Sequence, residues 1–205
     1  MAKYVITVGR EFGSGGREIA KKIAEHFNIK CYDKEIISLA SKESGLHESF
    51  IANCDEKAIS TLSFSGGNNF YFPGGNMHNV QIKAYFSQFD AIKNVAKQGP
   101  CVIVGRVADY VLKNEENIIS IFISADRQDR VSRVMGYENI SEKKAEKLVD
   151  KNDKNRAKYY NFFSNKKWGE AKTYDYCVNS SKLGIDKTAE LVISYIESRL
   201  ALLED

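Results

Sequence analysis

Residues 4–27 place the tightest constraint on what this chain can become. Tyr4-Val5-Ile6-Thr7-Val8 is a short β-rich run, and the glycine-rich segment Gly9-Arg10-Glu11-Phe12-Gly13-Ser14-Gly15-Gly16 follows it directly. Beyond it, Ile19, Ala20, Ile23, Ala24 and Phe27 recur at three- and four-residue spacing, which predicts a helix with Asn28 as its stop. A glycine loop between a strand and a helix gathers backbone N–H groups where the helix end carries roughly half a positive charge, so it forms a cradle for phosphate.

The rest of the chain repeats the alternation. Ile29–Tyr32 reads as a second strand, with Asp33 at its C-terminal end, the edge where parallel sheets present ligands. Cys101–Val104, Ile118–Ile123 and Tyr174–Val178 read as three more, and their mainly apolar character, unbroken in Cys101–Val104, predicts burial on both faces. Helical patterns fall near 34–44, 47–63 and 80–98 and through 126–165, so the expected architecture is a five-stranded parallel sheet with helices on both faces. Segment 65–76, with Phe70, Tyr71 and Phe72, reads as a mobile loop whose aromatics could make contacts.

Composition narrows the class further. With 43% apolar and 28% charged residues the chain is of ordinary globular type, and no apolar stretch is long enough for a membrane span, which predicts a cytoplasmic protein without membrane partners. Cys31, Cys54, Cys101 and Cys177 have neither C-x-x-C spacing nor a neighbouring histidine, so reduced thiols are expected. A net charge of +3 gives no case for nucleic acid. The charge is uneven, however. Residues 126–172 hold 13 Lys and Arg against 8 Asp and Glu, with 17 against 19 elsewhere, so a solvated helical face or a phosphate-meeting lobe is expected there.

The loop departs from the pattern G-x-x-x-x-G-K-[ST]. If Gly15 is its last glycine, Gly16 takes the lysine position and Arg17 the hydroxyl position; if Gly16 is last, Arg17 replaces the lysine and Glu18 the Ser/Thr. The usual lysine is missing in either register, and the Arg17 guanidinium is the candidate to neutralise phosphate charge in its place.

The run Val8 to Ala20, together with Tyr32-Asp33-Lys34-Glu35-Ile36-Ile37, resembles the opening of the cytidylate kinase-like family. Val102-Ile103-Val104-Gly105-Arg106, Ala125 through Arg130 to Arg133, Asp153 to Tyr160 and Val178 to Ile185 extend the resemblance in order over nearly the whole chain. It implies a single P-loop NTPase-type domain with its core at about 1–33, 99–125 and 173–205, an acceptor-side insertion at about 34–98 and a lid at about 126–172. It also implies ATP and Mg²⁺, with a nucleoside monophosphate, CMP or dCMP, as phosphoryl acceptor. Gly9, Phe12, Gly13, Ser14, Gly15, Gly16, Arg17 and Glu18 would then hold the ATP phosphates, and Asp33, Arg106 and Asp109 would meet the acceptor. Arg130, Arg133 and Arg156 would join Arg17 around the transferring group, since this chemistry needs positioning and charge removal more than covalent help.

Two departures keep alternatives open. Cytidylate kinases proper carry G-R-D at the end of the third strand, whereas Val107 follows Arg106 here and the nearest carboxylate is Asp109. A different small-molecule acceptor is therefore a second expectation. The missing lysine supports a third, a nucleotide-binding protein without transfer activity.

Overall fold

The computed structural model describes residues 3–57 and 77–202. In chain order the elements are β1 (Val5–Arg10), α1 (Gly16–His26), β2 (Lys30–Tyr32), α2 (Glu35–Ser44), α3 (Glu48–Cys54), α4 (Met77–Lys97), β3 (Cys101–Val104), α5 (Ala108–Val111), β4 (Ile118–Ser124), α6 (Arg127–Glu138), α7 (Glu142–Ser164), β5 (Tyr176–Asn179) and α8 (Gly184–Ala201). The five strands form one sheet in the order β2-β3-β1-β4-β5, every pair parallel, with Val5 opposite Cys101 on one side and Ile118 on the other. The glycine-loop strand is thus central. The second and fifth strands are shifted by a residue or two from their predicted limits, and the predicted loop at 65–76 lies outside the described residues.

Side chains along the inner strands alternate between two cores because consecutive strand residues face opposite ways. Ile6, Val8, Val102, Val104, Ile119, Ile121 and Ile123 pack with Ile19 and Ile23 of α1 and with Val192 and Ile196 of α8. Val5, Cys101, Ile103 and Phe122 face the other way, into a core built with α2, α3, α4, α5 and α7. Each fully buried aliphatic side chain of this kind contributes about 1.5–3 kcal/mol of hydrophobic stabilisation. These two layers hold the strand ends fixed beneath the glycine loop.

Helices α6 and α7 have a small core of their own, Val131, Val134, Ala145 and Val149, packed against Phe12 of the loop. Asn139 ends α6 in a left-handed conformation, φ 51°, so the chain turns back tightly into α7. The four cysteines are free thiols. Cys54 and Cys101 are buried, but Cys177 is exposed because β5 is an edge strand with only partial cover.

Candidate functional site

The glycine loop leaves β1 at the C-terminal edge of the sheet. Gly13 and Gly15 have φ 79° and 77°, and a Cβ would lie 2.7 Å from the Arg130 carbonyl oxygen at the first and 2.8 Å from Ile185 Cγ1 at the second. Both positions require glycine for conformation and for space. Ser14, fully buried, anchors the loop from within: its carbonyl accepts the Ser180 hydroxyl at 2.6 Å and its Oγ accepts the Gly16 N–H at 3.3 Å. Among the described residues the N–H groups of Gly13, Gly15, Arg17 and Glu18 have no hydrogen-bond partner. These four residues line a cavity of about 570 Å³.

The cavity wall is a network of ion pairs. Arg106, 1% exposed, donates through Nε and Nη2 to both oxygens of Asp55, at 3.0 and 2.8 Å, and through Nη1 to Asp33 at 2.8 Å. Burial disfavours the Arg106 cation, but Asp55, Glu56 and Asp33 outweigh it and hold its pKa above the ordinary range. Glu56 bridges Arg10, at 2.5 Å, and Arg156, at 3.2 Å. Burial opposes ionisation of Glu56, yet those two guanidiniums keep its carboxyl well below the usual carboxylate range. Burial and the neighbouring Arg10 bring Arg156 down to about 10. Arg17, its side chain 50% exposed, pairs with Asp33 at 2.6 Å on the rim. Four guanidiniums therefore share three carboxylates, which leaves the wall net positive and suited to an anionic ligand.

This network depends on an unusual backbone. Gly105, Arg106 and Val107 are consecutive residues with φ 73°, 55° and 56°. Left-handed conformations cost a non-glycine residue about 1–2 kcal/mol each. The turn is held by Gly105 N–H on the Val8 carbonyl at 3.0 Å, Arg106 N–H on Glu56 at 3.1 Å and the Arg106 side-chain bonds. Strain held by surrounding structure at a strand end accords with a ligand-handling role.

Several expected residues fall elsewhere. Gly9 is not on the main cavity; a Cβ there would be 2.9 Å from the Phe122 ring, so its role is close packing. Arg130 is buried beneath the loop, paired with Asp153 and near Glu11 at 3.5 Å, and does not line the cavity. Arg133 does line it, donating to the Gly13 carbonyl at 3.2 Å. Phe12 lines the cavity while its N–H donates to Asp153 at 2.8 Å, and the Arg156 guanidinium lies over its ring. Asp109 accepts the Tyr160 hydroxyl at 2.5 Å, away from the main cavity, and burial raises its pKa. Arg10, Asp55, Glu56 and Asp153 belong to the site or its support, and sequence reasoning passed over them as candidates.

A glycine cradle at the central strand of a parallel sheet, beneath a basic helical hairpin, defines a P-loop-type kinase fold. The solved shikimate kinase from Bacteroides thetaiotaomicron shares that fold: TM-score 0.55 and 11% identity, covering 98% of this chain and 99% of that one. The sequence matches the cytidylate kinase-like family over residues 5–182, and the chain belongs to that family. It is 29% identical over 182 residues to a cytidylate kinase of Pyrococcus horikoshii, covering 88% of this chain and 81% of the relative. A crystal structure of an uncharacterized protein from Eubacterium ventriosum superposes with a TM-score of 0.71 at 33% identity, covering 96% of this chain and 99% of that one.

Proposed function

We propose that the protein transfers the γ-phosphate of ATP to a nucleoside monophosphate, with CMP or dCMP the acceptor suggested by its family. The observation that carries this reading is the set of partnerless loop N–H groups, at Gly13, Gly15, Arg17 and Glu18 among the described residues, lining a cavity rimmed by arginines. Those N–H groups would hold the donor's β- and γ-phosphates. Arg133 and Arg156, carried on α6 and α7, would offset charge on the transferring group, and movement of that hairpin would exclude water. Arg106 is engaged by Asp55 and Asp33, so its part is to fix those carboxylates at the acceptor end of the cavity.

Mg²⁺ bound to a nucleotide needs only one or two protein oxygens, and Glu18, a carboxylate that lines the cavity beside the loop, fits that demand, whereas both Asp33 oxygens are already paired with Arg17 and Arg106. The ion, when bound, would neutralise β- and γ-phosphate charge. Val107 is buried in the core and Asp109 is turned to Tyr160, so neither offers a polar group for cytosine from this turn. The test is a coupled assay of ADP release with Mg²⁺-ATP against CMP, dCMP, UMP, AMP, GMP, shikimate and gluconate. Turnover of a monophosphate supports the reading. ATP binding without turnover of any acceptor overturns it in favour of a non-catalytic nucleotide-binding protein, and turnover of a non-nucleotide acceptor alone overturns the acceptor class.

A further inference from the structure

The missing loop lysine has a structural counterpart. Gly15, in a left-handed conformation, is the last loop residue and Gly16 is the first of α1, so Gly16 stands in the register where the lysine would be. Arg17 is committed to Asp33 on the rim and does not fill that place. The space is nevertheless taken: a Cβ on Gly16 would lie 2.5 Å from Arg10 Cβ and 3.2 Å from Arg10 Cγ. Because the nearest atom is the root of the Arg10 side chain and not its flexible end, a lysine at 16 and an arginine at 10 exclude one another. The buried Arg10 side chain continues into the cavity, where Nη1 meets Glu56 Oε1. Gly105 leaves room for that meeting, since a Cβ there would stand 2.1 Å from both atoms.

We infer that Arg10 supplies the polyphosphate-facing cation that the loop's own lysine position lacks, and that Glu56 holds its guanidinium ready until a phosphoryl oxygen takes the carboxylate's place. This rests on the phosphate-loop reading above. Carboxylate and phosphate oxygens accept from a guanidinium with the same charge-assisted geometry, so exchange of one for the other leaves the arginine paired. Arg156 on the second Glu56 oxygen, at 3.2 Å, would gain the same freedom.

The test is titration calorimetry with Mg²⁺ and the non-hydrolysable β,γ-imido analogue of ATP, on wild type, Arg10→Gln, Arg10→Lys, Arg10→Gly and the double variant Arg10→Gly with Gly16→Lys. A lost charge-assisted contact predicts binding about 10- to 100-fold weaker for Arg10→Gln, while Arg10→Lys stays within a few-fold of wild type. The double variant restores a cation from the lysine position and is expected to bind at least about 10-fold tighter than Arg10→Gly, a gain that a merely structural arginine would not produce. Equal binding by wild type and Arg10→Gln, or no gain in the folded double variant, overturns the assignment of Arg10 and leaves the loop reading standing. Failure of wild type to bind the analogue overturns the loop reading itself. Urea unfolding identifies the variants that fold, and the Gln and Lys substitutions, which keep the side-chain stem, decide the matter if glycine at 10 does not.

Discussion

Gly105→Ala measures how closely the Arg10–Glu56 pair is packed against the strained turn. Two costs are expected. Alanine at φ 73° pays the left-handed penalty of about 1–2 kcal/mol. Gly45 offers that penalty alone, because its φ is 70° and nothing lies within 4 Å of a Cβ there. At Gly105 the new methyl would also stand 2.1 Å from Arg10 Nη1 and from Glu56 Oε1, so the pair must separate. Removing one partner of a buried pair costs about 3–5 kcal/mol; here both remain and can turn toward cavity water, so about 1–3 kcal/mol is expected. The total is about 2–5 kcal/mol, against about 1–2 for Gly45→Ala. At about 2–4 °C per kcal/mol for a chain of this size, the melting temperature falls by roughly 4–20 °C, against roughly 2–8 °C for the control. Reduced unfolded-state entropy offsets both substitutions equally. Urea unfolding followed by circular dichroism, with an unchanged m value, is the assay. Equal losses at Gly105 and Gly45 would refute the packing of the ion pair against the turn.

Two further substitutions follow from the same network and from its neighbour. Arg106→Lys keeps one charge but loses the fork that serves Asp55 and Asp33 together, so a loss of about 3 kcal/mol or more in urea unfolding is expected; a loss under about 1 would mean the carboxylates find other partners. Asp109→Asn tests a pH dependence. Burial raises the Asp109 carboxyl although the Tyr160 hydroxyl opposes it, so the folded state holds the proton more tightly than the unfolded one. The Asp109 contribution to stability should therefore fall as pH rises above the ordinary value of 3.8 toward the raised one, then level off. The amide introduced by the substitution would still accept from Tyr160 and has no proton to lose, so the variant should lack that decline. Parallel wild-type and variant curves of urea midpoint against pH would count against it.

The fold was legible because its signals are local. Strand runs such as Cys101–Val104 are apolar on both faces, and the helical stripe from Ile19 to Phe27 marks α1 without knowledge of any partner. The loop was legible for the same reason, since glycines between a strand and a helix have few other uses. Much of the site was not. Asp55 and Glu56 follow α3 in an unremarkable acidic dipeptide, and only the long-range approach to Arg106, Arg10 and Arg156 gives them a role. Arg130 and Arg133 share a helical pattern, yet one lies beneath the loop and the other faces the cavity, a difference set by the packing of α6 against Phe12.

The lysine position shows why spacing alone misleads at such a site. A motif records which residue follows which, whereas a phosphate responds only to where positive charge lies in space. The side chain at 10 and a side chain at 16 would occupy one volume, because the loop folds the end of β1 against the start of α1. Glycine at 16 is then the condition for arginine at 10, and neither residue can be assigned a role without the other. A loop of this type that lacks its lysine should be searched first for a long basic side chain rooted at the last residue of the preceding strand, with a small residue facing it across the helix start.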